Sequence, residues 1–571
     1  MNDQSPAAGR RRNFYQGDSS LQYWLRRHAS EVVQRHTPRL TAFGDWVANN
    51  VDQAAAYTDR FAPPILTSKP VLSDPQADGM LMTEVLHNPA YAEIHRDAYR
   101  HGMIGLAYSA APAALSEPTA FLPGFVMGYL LAQADISIHC PVTLTGAVAY
   151  VLDRFAPQEI KSHYLPDLIR MDGAAATGGT WATERQGGSD VGANATVAEP
   201  RNDGSFALRG LKWFCSNAAS DLALATARPA GAPGGSDGLG LYLVPRRLDD
   251  GSLNRYRVRR LKDKLGTRGL ATGEIELQGA IGFEVAPPKR GLRIMMEALG
   301  YSRIHNAMAA VGVQRRAFVE ALGHARQRQA FGAPLVAYPA IEMQLLDLQA
   351  DWMASLVLAL ATAQSFDLAQ QDAGQQVWLR LLTALAKYRT AEDAVRSASR
   401  AVEILGGNGY TEEYPTARLL RDALVLPVWE GPANIQALEV LRLILGKSNA
   451  GGLFERQVSA MLISIGGEMA ASVPPLQQAL RSYHQTLEHL RSVPASGPCH
   501  IGAMTELMAD LICATLLLRE AAAEGNARLS LIAARYIRSR FGRRPHAGPD
   551  VTCEPVSTAE RAMLENEPAF D

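Results

Sequence analysis

Apolar positions recur along this chain with two different periods, and the switches between them divide it into parts. After a polar, Arg-containing arm, the run Leu21-Gln22-Tyr23-Trp24-Leu25 opens a helical pattern, which continues from about 46 to 171. Small residues in Tyr129-Leu130-Leu131-Ala132-Gln133-Ala134 allow close helix packing, and His139-Cys140-Pro141 reads as the end of one helix, because proline cannot donate inside one. Between 173 and about 285 the period becomes alternating. Residues 193–199 and 205–209 flank Asn202-Asp203-Gly204, a hairpin signal; 239–244 and 274–277 are further strands, with Asp250-Gly251 as another turn. The Gly-rich run 231–240 reads as a loose surface loop. From about 288 to 445 the helical period returns, with long segments at 303–327, 341–369 and 377–405; a linker at 447–452 leads to further helix as far as about 541. The pattern predicts an α+β chain, mainly α. Its parts are an arm at 1–45, a helical domain at 46–172, a β domain at 173–287, a helical domain at 288–446, an additional helical domain at 453–545 and an acidic tail at 546–571. The arm is expected to pack on a neighbouring subunit or to be disordered.

Composition narrows the class. A chain of 571 residues accommodates several domains, and a formal net charge of −1 points to neither nucleic acid nor membrane as a global partner. The five cysteines, Cys140, Cys215, Cys499, Cys513 and Cys553, lack CxxC spacing, so a reduced compartment and no metal site are expected. The N-terminus has basic residues without an apolar run behind them, unlike a secretory signal. The apolar stretches read as too interrupted to span a bilayer. These features together predict a cytoplasmic protein with no membrane partner.

The densest chemistry lies in 403–442. There Leu424-Val425-Leu426-Pro427-Val428-Trp429 delivers one carboxylate, Glu430, before Gly431 and Pro432. Pro432 suits a first helical position, and the helix is expected to carry Asn434, Ile435, Leu438, Leu441 and Leu445 at helical spacing. The helix start favours the carboxylate, whereas apolar neighbours such as Val428 and Trp429 disfavour it; a dry pocket would make Glu430 a proton acceptor. A solvated turn Glu fits the same residues. Upstream, Gly187-Gly188 exposes backbone N–H groups and Ser189 adds a hydroxyl, a set suited to a pyrophosphate, although a plain Gly-Ser turn capped by Asp190 is equally open.

Four stretches in one order carry a resemblance: TWATERQGGSDV at 180–191, GLKWFCSN at 210–217, ARQRQAFG at 325–332 and EILGGNGY…VWEGPANIQ within 403–442. Together they resemble the acyl-CoA dehydrogenase family, and the extra helical domain beyond about 445 resembles its AidB-like branch. The resemblance implies an N-terminal helical domain, a central β domain, a C-terminal four-helix bundle, and FAD as cofactor. It assigns cofactor binding to Thr180, Trp181, Ala182, Thr183, Gly188, Ser189, Phe214, Cys215, Ser216, Glu403, Gly407, Val428, Trp429, Gly431, Pro432 and Asn434. Arg328 and Phe331 would reach the FAD of a neighbouring subunit, implying a homotetramer with shared sites. Arg303 would hold the CoA portion of the substrate. Some positions depart from the family's pattern: Arg185 replaces a proline, Gly300 an acidic residue and Pro432 a hydroxyl residue.

The chemistry implied is α,β-dehydrogenation of an acyl-CoA thioester with Glu430 as base. In this family the Glu430 backbone N–H and a flavin hydroxyl would steady the developing enolate oxygen, each such donor being worth roughly 3 kcal/mol. Two other functions stay open. In the AidB-like branch the added domain binds double-stranded DNA with little dehydrogenase activity, and Arg528, Arg535, Arg538, Arg540, Arg543 and Arg544 supply a candidate phosphate patch. A flavoprotein that holds acyl-CoA without turning it over is the third.

Overall fold

The computed structural model describes residues 12–70, 81–109, 120–524, 527–542 and 556–568. Arg543, Arg544 and Cys553 lie outside the described residues. The chain divides into two compact units, one of Met1–Asn49, Leu115–Ala134 and Asn306–Asp571, the other of Asn50–Ala114 and Asp135–His305.

In the second unit a seven-stranded sheet closes on itself. Leu222–Pro229, Val197–Pro200, Phe206–Ser216, Thr272–Ala286 and Gly240–Pro245 pair in that order, and Gly240–Pro245 pairs back onto Leu222–Pro229. Closure leaves few unpaired strand edges among these five. Gly178–Trp181 adds in parallel beside Leu222–Pro229, and Tyr256–Leu261 pairs with Thr272–Ala286. The expected hairpin is present, with Gly204 at φ +82 in its turn. Residues 231–240 are not loose: the Arg228 guanidinium donates to the carbonyls of Pro233, Gly235 and Gly192 and ties the loop down. The core holds Trp181 edge-on to Tyr256 at 5.1 Å, with Tyr242, Ile275 and small alanines around them.

The helix expected to stop at Pro141 runs through it, from Ile136 to Phe155. Proline leaves the Ser137 carbonyl without its helical donor, and the buried Tyr91 hydroxyl donates to it at 3.2 Å. A hairpin of Ile65–Pro70 with Leu81–Leu86 also lies within a region expected to be helical.

In the first unit Pro339–Gln371 packs along Gln376–Leu405, which in turn packs on Ala433–Leu445. Gly497–Glu524 lies against all three and Ala527–Phe541 against Pro339–Gln371, so the additional helices share one core with the bundle. Residues 447–452 form a tight corner: Asn449, at φ +49, caps the helix Ala450–Ser464, and the Tyr483 hydroxyl donates to the Gly451 carbonyl at 2.9 Å. The arm is folded onto its own chain from residue 12 onward. Asp18 caps Ser19–His28 and accepts from the Tyr129 hydroxyl at 2.5 Å, while Arg27 and His28 meet the buried Glu520 at 2.9 and 2.8 Å. The described part of the acidic tail, 556–568, is anchored to the chain, because the Glu567 carboxylate is buried on Arg315 at 2.9 Å and on Arg528.

Among the described residues three helices, Ile136–Phe155, Pro339–Gln371 and Pro494–Ala523, are long and apolar enough to cross a membrane, contrary to the expectation from sequence. Their apolar windows are 94%, 83% and 78% buried within the fold, which accounts for their composition.

Candidate functional site

In the barrel unit the loop after Gly178–Trp181 is pinned by a buried ion pair. Lys212 Nζ lies 2.8 Å from Glu184 Oε1, and both side chains are essentially excluded from solvent. The same ammonium donates to the Thr226 carbonyl at 2.7 Å; the Glu184 carboxylate also accepts from Ala195 N at 2.7 Å and Thr196 Oγ1 at 2.6 Å. Burial holds the Lys212 ammonium below its usual pKa. Burial alone would raise the Glu184 carboxyl, but the Lys212 charge and the Thr196 hydroxyl bring it below the ordinary carboxylate value. Asn194 Nδ2 donates to the Ala182 carbonyl at 2.6 Å, and Trp213 N donates to the Thr183 carbonyl at 2.9 Å, so residues 180–189 and 213–216 are joined. Neither Glu184 nor Lys212 was singled out from sequence, although a Lys flanked by apolar strand residues was the available signal.

The pairing of Phe206–Ser216 with Thr272–Ala286 slips between Lys212 and Cys215, and this bulge turns Phe214 outward at φ +54 with 59% of its surface exposed. Lys262 sits 3.5 Å from the Trp213 ring centroid and is anchored to Glu274 at 2.6 Å. Thr180, Ala182, Thr183 and Ser216 are half-buried, and Gly188 and Ser189 are exposed. A Cβ on Gly188 would lie 2.7 Å from Thr183 Oγ1, so a side chain there would require Thr183 to shift. The Gly187 N–H is donated to the Glu184 carbonyl at 3.0 Å; the exposed Gly188 backbone, the Ser189 hydroxyl and an outward aromatic on a strained residue are the donor set and stacking surface a flavin dinucleotide uses. Two assigned residues need correction. The Trp181 and Cys215 side chains point into the barrel core, where burial also pushes the Cys215 thiol up, so only their main chain is left for a cofactor.

In the helical unit Glu430 is half-buried, at φ +57, followed by Gly431 at φ +93. A non-glycine residue in this region is strained and is held there by its surroundings. Lys387 Nζ, fully buried in Gln376–Leu405, donates to the Gly431 carbonyl at 2.7 Å; Gln436 Nε2 donates to the same oxygen at 3.0 Å and to the Glu430 carbonyl at 3.2 Å. Trp429 Nε1 donates to Asn306 Oδ1 at 2.6 Å. Pro432 is the residue before the helix Ala433–Leu445 rather than its first. That helix buries Gln436, Ala437, Val440, Leu443 and Ile444, so its inner face is not the stripe of 435, 438, 441 and 445 expected; Leu438 is 43% exposed and Asn434 is exposed too. Val428 is 62% exposed.

Gly407 is exposed with open space around it, and Glu403 pairs with Arg400 at 2.8 Å on the surface. Phe331 and Gly332, at φ +50 and +88, form the turn between Gln329–Ala330 and Ala333–Pro334, and Phe331 is 97% exposed. Arg328, next to that turn, is also exposed. Arg303 is buried on the helix Gly291–Gln327, in the barrel unit's share of it.

Among the described residues, three of the four arginines of the candidate phosphate patch are paired. Arg535 meets Asp347 at 2.9 Å and Glu560 at 3.4 Å, and Arg540 meets Asp351 at 2.8 Å and Asp393 at 3.4 Å; Arg528 is paired with Glu567. Arg538 is exposed. Long-range pairing of these guanidiniums with carboxylates from other helices was invisible in the local spacing.

The chain matches the middle domain of acyl-CoA dehydrogenases over 179–280, their C-terminal domain over 289–445, and the N-terminal domain of the adaptive response protein AidB over 3–172. It is 34% identical over 419 residues to AidB of Escherichia coli (strain K12), spanning 71% of this chain and 74% of that protein. The crystal structure of Caenorhabditis elegans ACDH-11 in complex with C11-CoA matches with a TM-score of 0.86 at 27% identity, covering 93% of this chain and 92% of that one. An acyl-CoA dehydrogenase from Bacillus anthracis complexed with FAD shares the fold at a TM-score of 0.67 and 18% identity, over 79% and 81% of the two chains. The chain belongs to the acyl-CoA dehydrogenase family, in its AidB-like branch, and FAD is the cofactor of that family.

Proposed function

We propose that this protein is an FAD-dependent dehydrogenase of an acyl-CoA thioester, with Glu430 as the base. The observation that carries this reading is the backbone of Glu430: a carboxylate-bearing residue held in the left-handed region by two buried side chains, inside the family's C-terminal domain. FAD, when bound, supplies a two-electron acceptor for the hydride leaving the β carbon. Glu430 takes the proton from the α carbon and becomes the neutral acid, and the electrons of that C–H bond become part of the new Cα=Cβ bond. A thioester α-proton is too weakly acidic for an unaided carboxylate. The Glu430 N–H is the donor this chain would aim at the thioester oxygen, where charge develops, for roughly 3 kcal/mol. The loop at 182–189, pinned through Glu184 and Lys212, would hold the flavin.

An acyl-CoA substrate is supported by the relative crystallised with C11-CoA. A site shared between subunits is supported by Phe331, an aromatic almost fully exposed on a strained turn. Duplex DNA binding has less support, since Arg535 and Arg540 are already paired within the chain.

The test is anaerobic bleaching of the flavin absorbance by a panel of acyl-CoA thioesters. Glu430→Gln is expected to keep the flavin and abolish bleaching; substantial residual turnover by that variant rejects the assignment.

A further inference from the structure

We infer that Lys387 and Gln436 are positioning residues that set the aim of Glu430 by clamping the two carbonyls that follow its Cα. This rests on the reading of Glu430 as the base.

The Glu430-Gly431 turn presents two consecutive carbonyls just before a helix, where the helix itself offers them no donor. Water or a short polar side chain is the cheap way to satisfy such groups. Here both are met by side chains with no exposed surface: Lys387 from the middle of Gln376–Leu405, flanked by Leu385 and Ala386, and Gln436 from the first turn of the next helix. Burying an ammonium costs several kcal/mol, which makes a lysine an expensive donor to a main-chain carbonyl. It is a good choice for rigidity. The Gly431 oxygen lies 2.7 Å from Lys387 Nζ and 3.0 Å from Gln436 Nε2, so donors from two separate helices fix one peptide plane.

Gln436 also holds the adjoining Glu430–Gly431 peptide at 3.2 Å, so the clamp on the Gly431 oxygen is carried back to Glu430 itself. At φ +57 a residue with a Cβ is strained by about 1–2 kcal/mol and relaxes to negative φ if its flanking peptides are released. Relaxation would swing both the carboxylate and the N–H of Glu430, the proton acceptor and the carbonyl donor, off their targets together. A misplacement of about 1 Å is enough for a loss of about 10²-fold in rate. Binding of the thioester depends on other contacts and would be spared.

The experiment uses the full-length, FAD-loaded protein and Lys387→Met, Lys387→Arg, Gln436→Met and the Met double variant. Hydrogen exchange over 428–436, single-turnover flavin bleaching and steady-state turnover across acyl-CoA concentrations with an artificial electron acceptor are measured on each. Met removes the charge while filling the volume, so no unpaired ammonium is left to unfold the helix. The inference expects faster exchange in the Met variants and kcat falling by about 10²-fold with KM within about twofold. It expects partial recovery with Lys387→Arg and a double variant no worse than about Gln436→Met alone, because the two side chains share the Gly431 oxygen and only Gln436 reaches the Glu430 carbonyl. Unchanged exchange, an unchanged bleaching rate, or KM and kcat moving together with loss of FAD overturns it. A wild-type flavin that no thioester bleaches overturns the base assignment and the positioning role with it; that outcome shows in the wild type, the others only in the variants.

Discussion

Replacing Lys212 by Met should loosen the loop at 182–196 in a strongly pH-dependent way. The variant leaves Glu184 in a buried setting with the donors of Ala195 and Thr196 but no counter-charge. An unpaired buried carboxylate costs about 3–5 kcal/mol, so the cheaper response is to bind a proton. In the unfolded chain a Glu gives up its proton near pH 4.3, and neutralising it costs about 1.4 kcal/mol for each pH unit above that. The folded variant then holds a proton that the unfolded chain has released, and stability falls as pH rises. The penalty is about 3.7 kcal/mol at pH 7 and about 1 kcal/mol at pH 5. Loss of the bond to the Thr226 carbonyl adds about 1 kcal/mol at both. Hydrogen exchange over 182–196, each variant compared with wild type at the same pH, reads this locally. The extra loss of protection at pH 7 relative to pH 5 should be about 100-fold, an offset-free ratio. Lys212→Met combined with Glu184→Gln should show no such dependence. Equal losses at pH 5 and pH 7 for the single variant would refute the reasoning.

Two further outcomes follow from the same geometry. Arg540→Met strips a partner from the half-buried Asp351 and the buried Asp393, while Arg396 still meets both and Arg389 meets Asp393, and should lower unfolding stability by about 1–3 kcal/mol, read as a lower thermal midpoint. An unchanged midpoint would mean the pairing is not formed in solution. Phe214→Gly relieves a left-handed residue whose ring is mostly exposed, so the apoprotein should melt at the same temperature or higher while FAD binds more weakly in a titration. Lower stability with intact FAD affinity would show the ring to be structural.

Much of this was legible locally. The hairpin at Asn202-Asp203-Gly204 follows from residues that tolerate the turn, and the change from helical to alternating period marked the β domain because those periods reflect which side of an element is buried. Other features escaped local reading. Leu222–Pro229 is apolar on both faces, so it shows no alternation, yet it closes the barrel. Pro141 is an obvious helix breaker until Tyr91, 50 residues earlier, supplies the missing donor. The inner face of Ala433–Leu445 lies one position away from the stripe of largest apolar residues, because the neighbouring helices accept Ala437 and Val440 rather than Leu438.

The amino-acid order by itself determined the family, the positions of Glu430 and of the 180–189 loop, and the division into helical and β parts, since each depends on residues close together in the chain. Tertiary structure alone decided which of those residues are available. It turned Trp181 and Cys215 into the core, put Phe214 outside it, spent Arg535 and Arg540 on distant carboxylates, and brought Lys387 and Gln436 onto the turn that carries Glu430. The reason is the range of the forces: backbone preference and periodicity act over a few residues, whereas desolvation, ion pairing and hydrogen bonding of buried groups are set by whatever the fold brings within about 3 Å, however far apart in sequence.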